Sequence, residues 1–150
     1  KHKVWHLPSM ATLITNELRE AYLRCIYCVF TKTGELEIIV NEASSALDEL
    51  LAEHKVTSAA FITASNPASR RLDDAANAKR NEALRTKVAE AGFSYLRGEG
   101  RDPAGKWQSE QSLLVLGIAA ADATRLARQY GQNAYVFIRL RSAAKLIEVN

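Results

Sequence analysis

The sequence lacks the features that would place it in or across a membrane. No apolar run approaches the roughly 20 residues that a membrane-spanning helix needs. The residues before Pro8 contain no continuous apolar stretch that could form a secretory signal. Only two cysteines occur in 150 residues, which fits a reducing compartment better than a disulfide-linked secreted domain. We therefore expect a cytoplasmic protein.

Cysteine and histidine are also too scarce for most metal and nucleophilic sites. Cys25 and Cys28 form a CxxC with no second pair to complete a zinc site. They lie in a predicted strand, whereas a redox thiol is activated at the start of a helix. Of the histidines, His2 and His6 lie near the N-terminus and His54 lies at the edge of an apolar helix face. The pattern predicts core cysteines, structural histidines, no metal site and no Ser-His-Asp triad.

The excess of positive charge is too small to indicate nucleic-acid binding, which we rank third among the possible functions. The formal net charge is +3, and the basic side chains of residues 70–106 are interspersed with acidic ones, as on a solvated surface. Hydrophobic residues make up 47% of the chain and charged residues 25%, which is a globular composition. We expect an N-terminal tail or expression remnant at 1–11, with Met10 as a candidate natural start, and a single domain at 12–150.

Apolar spacing and turn signals predict the element order α-β-β-α-β-α-β-β-α-β-β, with Thr12 and Ser45 capping the first two helices. This order predicts an α+β fold, in which a mixed, largely antiparallel sheet of about six to seven strands is packed by about four helices. The glycine-rich residues 98–106 are predicted to form a hairpin loop and not a phosphate loop, because they do not lead into a helix. Helices are expected at 12–22, from 45, at 72–91 and at 119–130, and strands at 24–31, 36–40, 57–64, 93–97, 107–117, 133–140 and 144–149.

The strand at 57–64 is the one around which the chain is organised. It is apolar on both faces, as a central strand should be. Pro67 forces the chain to turn directly afterwards and disfavours helical geometry at Asn66. The predicted site therefore lies at the polar turn where this strand ends.

The inward face of the helix at 72–91 is polar in its first half. Leu84 and Val88 define its apolar face, and the same face carries Asn77, Arg80 and Asn81 further back. Burying polar groups without partners costs about 1–3 kcal/mol each. This face is therefore either hydrogen-bonded inside the protein or lines a cavity.

A carboxylate lies beside the apolar run of the strand at 107–117. Glu110 shares one strand face with Ser112, and it is a candidate general base or a ligand for a cation or a sugar hydroxyl. The alternative is a structural ion pair, for which Arg80 is the candidate partner. Gln132 and Asn133 follow a helix end, and asparagine also occurs in such turns for purely structural reasons.

Four motifs, taken together and in order, resemble the bacterial family called domain of unknown function 3293. They are F-I-T-A-x-N-P-x-S at 61–69, N-x-x-R-N at 77–81, W-x-x-E-x-S at 107–112 and Y-G-Q-N-A at 130–134. The resemblance covers roughly residues 12–149. It supports the domain boundaries and the choice of polar residues, to which it adds Ser69. The family has no established activity, so the resemblance implies no mechanism.

Two functions follow from these polar residues. The first is binding of a small polar or phosphorylated ligand, with an enzyme on a nucleotide-like substrate as its catalytic form and Glu110 as acid/base. Arg80, aided by Arg70 or Arg71, would then hold an anionic group. The second is an interaction module for a protein partner or a second copy of the chain, with the polar residues as a buried network. No cofactor is identified. The predicted ligand-binding residues are Asn66, Ser69, Asn77, Arg80, Asn81, Ser112, Gln132 and Asn133.

Overall fold

A seven-stranded sheet forms the centre of the computed structural model, which describes residues 14–149. The strands are β1 (Ile26–Thr31), β2 (Gly34–Ile38), β3 (Ser58–Thr63), β4 (Tyr95–Arg101), β5 (Glu110–Leu116), β6 (Ala134–Arg139) and β7 (Lys145–Glu148). The helices are α1 (Asn16–Arg24), α2 (Ser45–Glu53), α3 (Asp74–Glu90) and α4 (Ala120–Gln129), and a 3₁₀ turn spans Pro67–Ser69. The predicted α+β fold class is confirmed.

The strand order explains why every neighbouring pair between residues 14 and 149 is antiparallel. The order across the sheet is β2-β1-β4-β5-β3-β6-β7. Helix α3 connects β3 to β4, but β5 lies between those two strands; helix α4 connects β5 to β6, but β3 lies between them. The parallel strands joined by each crossing are therefore never neighbours, so the sheet, predicted to be mixed and largely antiparallel, has no parallel pair within residues 14–149. The stretch from β3 to β6 has the β-α-β-β-α-β connectivity of a ferredoxin-like unit.

The two faces of the sheet pack against different helices. One face buries side chains such as Ile62 and Leu113 against Leu84 of α3 and against α4. The other face buries Phe61 and its neighbours against Leu51 of α2. Strand β3 is buried on both faces because it contributes to both cores. Within residues 14–149 no helix has the length and apolar character needed to cross a bilayer.

Capping side chains set the start of three helices. Thr15, Ser44 and Asp73 each accept a hydrogen bond from the backbone N–H three residues later, at the starts of α1, α2 and α3. The predicted cap at Thr12 lies outside the described residues. The predicted cap at Ser45 is wrong by one residue. Other elements differ from their predicted bounds by a few residues at their ends, where boundary prediction is weakest.

Two of the three glycines predicted to form a loop, Gly98 and Gly100, lie inside strand β4. The strand continues to Arg101, so the predicted loop begins only at Asp102. At Gly98 a Cβ atom would lie 2.2 Å from the carbonyl oxygen of Cys28 and 3.0 Å from the Phe61 ring. Glycine is therefore needed here for close packing between strands and not for a turn, and this is why its presence misled the sequence prediction.

Replacing Gly98 by alanine is expected to lower the free energy of unfolding by about 1–3 kcal/mol, because the added methyl group meets backbone of β1. Gly100→Ala is the matched control on the same strand, since a Cβ there meets only the Tyr27 ring at 3.8 Å. Urea denaturation of both variants measures the difference. Equal stability of the two variants would contradict the close approach at Gly98.

Candidate functional site

A cavity of about 380 Å³ lies on the sheet face that carries Phe61, at the end of β3 and beside α1. Its buried walls are mainly aromatic and aliphatic, and its polar groups come from the turn after β3, from β5 and from the residues before β6. Two contacts hold helix α1 against this face. Arg19 forms a bidentate ion pair with Glu148 of β7, and the Tyr27 hydroxyl donates a hydrogen bond to the Tyr22 carbonyl. The lining residues are Leu18, Tyr22, Cys25, Tyr27, Phe61, Thr63, Ser65, Asn66, Ser69, Arg71, Gly100, Asp102, Lys106, Trp107, Gln108, Glu110, Ser112, Gln132, Ala134, Tyr135, Val136 and Leu146.

Glu110 is the central polar group of this cavity. It is partly buried at the start of β5, and its Oε2 accepts a hydrogen bond of 2.6 Å from Nδ2 of Asn66. No group within residues 14–149 donates to its Oε1. Burial raises the pKa of the Glu110 carboxyl group, and the bond from Asn66 offsets part of that rise. The site therefore holds a carboxyl group that no described cation neutralises.

The raised pKa makes Glu110 a source of pH-dependent stability. The folded chain binds the Glu110 proton more tightly than the unfolded chain does. The resulting contribution to folding is fully present below the ordinary pKa of glutamate. It is lost as the pH rises through the raised value. Above the raised pKa the ionised Glu110 is less favourable for folding than the protonated form, and a ligand that stabilises the charge would offset this.

Asn66 holds the turn after β3. Its Oδ1 accepts from the backbone N–H of Leu72 at 2.8 Å, while its own N–H donates to Oδ1 of Asn77 at 2.9 Å. Asn66, Ala68 and Ser69 all have positive φ angles, of 48°, 56° and 61°. Such backbone is rare for residues with a side chain and persists only where the surrounding bonds impose it.

The buried amide of Asn81 fixes the residues just before this turn. Its Oδ1 accepts from the Ala64 N–H at 2.9 Å, and its Nδ2 donates to the Ser65 hydroxyl and to the Asn77 carbonyl. The polar inward face of α3 is thus hydrogen-bonded inside the protein, which is the first of the two alternatives left open by the sequence.

Arg80 contacts backbone carbonyl groups and does not contact Glu110. Its Nε donates to the carbonyl of Ala64 and its Nη2 to the carbonyl of Tyr130, both at 2.6 Å. Ala64 directly follows β3 and Tyr130 directly follows α4, so Arg80 joins the ends of these two elements behind the cavity. The structural alternative for Glu110, an ion pair with Arg80, does not form between these residues.

The remaining predicted residues surround the same turn. Ser112 donates its hydroxyl to the Glu110 carbonyl. Asn133 donates to the Ser69 hydroxyl at 2.8 Å, and that hydroxyl also lies 3.1 Å from the hydroxyl of Tyr22. Among the described residues, Oδ1 of Asn133 is the one buried side-chain oxygen or nitrogen atom without a partner.

The nine predicted site residues therefore divide into two groups. Asn66, Ser69, Glu110, Ser112 and Gln132 line the cavity. The other four lie behind it and hold the turn after β3 and the chain before β6 in place, through bonds to backbone and hydroxyl groups; they are Asn77, Arg80, Asn81 and Asn133.

Four exposed residues form the mouth of the cavity: Arg71, Lys106, Trp107 and Gln108. Arg71 donates to the side-chain oxygen of Gln108. The chain turns toward Trp107 at Asp102, whose carboxylate accepts backbone N–H bonds from three residues of the following turn, including Trp107 itself. These bonds lower the pKa of Asp102, so its carboxylate stays ionised and maintains the turn. Arg71 and Lys106 place positive charge at the mouth.

The two cysteines lie in different environments. Cys25 directly follows helix α1 and lines the cavity, so its assignment to a strand is wrong by one residue, although it does pack against the core that includes Phe61; Cys28 is fully buried in β1, as predicted. Burial raises the pKa of Cys25 to about 11, which keeps the thiol protonated and weakly nucleophilic. His54 lies exposed at the end of α2, and the other two histidines lie outside the described residues. Within residues 14–149, no three potential metal-ligating side chains come together.

Sequence reasoning missed the apolar walls, which include Tyr22, Tyr27 and Phe61. Tyr27 and Phe61 form an edge-to-face pair with ring centroids 5.3 Å apart. The alternation of side chains along β1 and β3 predicts the sheet face on which each of these two rings lies. It does not predict that β4 and β5 lie between the two strands, so that both rings contribute to one wall of the cavity. The W-x-x-E-x-S motif at 107–112 was a sequence signal for the mouth of the cavity, because it places Trp107 three residues before Glu110.

The family comparison returns a match to the family described as a protein of unknown function, DUF3293, over residues 62–135. The match runs from the end of β3 to the start of β6 and covers just under half of the chain. All nine predicted site residues fall within it. The resemblance inferred from the motifs is confirmed. No curated protein and no solved structure matches the chain.

Asn81→Ala is expected to lower the free energy of unfolding by about 2–4 kcal/mol, because it leaves the buried N–H of Ala64 without a partner and opens a small cavity. Lys79→Ala on the exposed side of the same helix is the control and should change stability by less than about 0.5 kcal/mol. Thermal and urea unfolding measure both. A variant lacking Asn81 that unfolds like the control would show that the turn does not depend on this amide.

Proposed function

We propose that this domain, which resembles a family without an assigned activity, binds a small molecule in the cavity beside α1, with Glu110 as the main polar contact. The observation that carries this proposal is the carboxyl group of Glu110, which is partly buried, bonded by Asn66 at one oxygen only and without a described cation. Such a group costs folding free energy. Carboxyl groups with raised pKa values in cavities are characteristic of binding and catalytic sites.

The size and lining of the cavity support a ligand with an apolar or aromatic body. A volume of about 380 Å³ lies in the range of small-molecule sites, which are mostly apolar with a few placed polar groups. Tyr22, Tyr27 and Phe61 supply aromatic surface. Positive charge at the mouth, from Arg71 and Lys106, suits a phosphate or carboxylate at the outer end of the ligand. Arg80 is left out of this proposal, because it is not among the lining residues and its Nε and Nη2 donate to carbonyl groups behind the cavity.

The same carboxyl group favours a second candidate, an enzyme acting on this ligand. A glutamate whose pKa is raised by burial keeps its proton to higher pH, as a general acid requires. The positive φ angles of Asn66, Ala68 and Ser69 at the cavity edge are backbone strain of the kind that clusters at active sites. In this form Glu110 would exchange a proton with the substrate.

A thermal-shift screen of the intact chain tests the proposal. The panel contains nucleosides, nucleotides, sugar phosphates and amine-bearing metabolites. A ligand at 100 times its dissociation constant adds about 2.7 kcal/mol of stability, which raises the melting temperature by several degrees. We expect at least one such shift in the native chain and its loss in Glu110→Gln.

Glu37→Gln is the matched control, since it removes the same charge from an exposed residue of β2. The variant Glu110→Gln should fold at least as stably as the native chain at pH values above the raised pKa of Glu110, because it removes a partly buried charge that disfavours folding. Ligand shifts that are equal in the two variants would contradict a site at Glu110. Early melting of Glu110→Gln without any ligand shift in the native chain would make Glu110 structural.

A further inference from the structure

The amide groups of the inner wall donate mainly to the protein: Gln132 uses both of its N–H groups and Asn66 uses one of its two. The inner wall consists of Thr63, Ser65, Asn66, Glu110, Ser112 and Gln132, the buried and partly buried polar residues that line the cavity beside the turn after β3. Asn66 donates to Glu110. Gln132 donates from Nε2 to the carbonyl groups of Ser65, at 3.0 Å, and Tyr130, at 3.2 Å. Both amide nitrogens are therefore engaged with the protein.

The orientation of both amides follows from their partners. Since the two groups next to Gln132 Nε2 are carbonyl oxygens, the nitrogen must face them and Oε1 must face away. Oδ1 of Asn66 accepts from the backbone N–H of Leu72, so its nitrogen must face Glu110. Exchanging oxygen and nitrogen in either amide would set two acceptors or two donors against each other.

Two of the inner-wall hydroxyl groups are engaged as donors as well. Thr63 donates to the Gln111 carbonyl at 2.6 Å, and Ser112 donates to the Glu110 carbonyl at 3.1 Å. Two donors remain: the Ser65 hydroxyl accepts from Asn81 and keeps a hydrogen to donate, and the second N–H of Asn66 has no acceptor within residues 14–149. The inner wall thus presents mainly acceptors to the cavity.

Two carboxyl or amide oxygens of the inner wall have no donor within residues 14–149, namely Oε1 of Glu110 and Oε1 of Gln132. The two side chains are bonded to adjacent residues just after β3, Glu110 to Asn66 and Gln132 to Ser65. Glu110 and Gln132 both line the cavity, so the two open oxygens belong to side chains at this end of it.

We propose that the inner end of the ligand is a positively charged nitrogen group, an ammonium, amidinium or guanidinium, that donates hydrogen bonds to Oε1 of Glu110 and Oε1 of Gln132. This inference rests on the proposed small-molecule site and specifies the chemical class of its ligand. A donor-rich cation matches two free acceptors, one of them a carboxylate. The aromatic rings of Tyr22, Tyr27 and Phe61 in the same cavity suit a cation as well.

The titratable groups that face Glu110 do not supply a compensating charge. Tyr22, Cys25 and Tyr27 interact with it electrostatically, and burial raises the pKa of each, so all three are uncharged near neutral pH. Asp102 lines the same cavity as an anion and adds to its negative potential. The cations Arg71 and Lys106 lie at the exposed mouth. A cationic ligand end is therefore favoured next to Glu110 and disfavoured at the mouth.

Three probes of one shape test this assignment: benzamidine, which is a cation, benzamide, which is neutral, and benzoate, which is an anion. Calorimetric titration of the intact chain should give benzamidine an affinity at least tenfold higher than that of benzamide, with no measurable binding of benzoate. Benzamidine affinity should also rise with pH as Glu110 loses its proton, because the amidinium stays charged throughout.

Glu110→Gln should reduce the preference for benzamidine over benzamide to less than threefold and remove the pH dependence, while Glu37→Gln should retain both. Circular dichroism confirms that each variant is folded. Tight binding of benzamide or benzoate that depends on Glu110 would overturn the cationic assignment and leave the small-molecule site in place. Binding of none of the three would also overturn it, and the metabolite screen then decides the site separately.

Discussion

The hydrogen bond from Asn66 to Glu110 is the interaction on which the rest of the site depends. It joins the turn after β3 to the start of β5, and it is the one bond that lowers the pKa of a carboxyl group which burial otherwise raises. Asn66 can make it because its backbone adopts a positive φ angle and its oxygen is held by Leu72 and Asn77. The amides of α3 therefore act on Glu110 indirectly, by fixing the residue that touches it.

The strand order explains how these groups meet. Because β5 inserts between β4 and β3, Glu110 lies opposite Gly100 on one side, and Ser112 lies opposite Thr63 on the other. The absence of a side chain at Gly100 leaves space on the sheet face beside the carboxyl group. Helix α1 then lies across this face, so the cavity is enclosed by the same elements that orient its polar groups.

Much of this architecture could be predicted from the sequence, because it follows from local patterns. The element order, the doubly buried strand β3 and the inward polar face of α3 all have periodic signals. The partners of Arg80 could not be predicted, since they are backbone carbonyls that any residue carries. The sequence also does not reveal which polar side chains face a cavity and which lie behind it, as Gln132 and Asn133 are neighbours with opposite roles. Gly98 was misassigned because close packing and turns both select glycine.

The most direct test of the account is the titration of the Glu110 carboxyl carbon by NMR in the ligand-free chain, assigned by its loss in Glu110→Gln. The account predicts a midpoint above the ordinary glutamate value of about 4.3, because burial outweighs the single bond from Asn66. Addition of a cationic ligand should lower that midpoint, since the charge of the ligand stabilises the ionised carboxylate. A midpoint at or below the ordinary value in the ligand-free chain would show that Glu110 is already compensated, and would contradict the view that it awaits a partner.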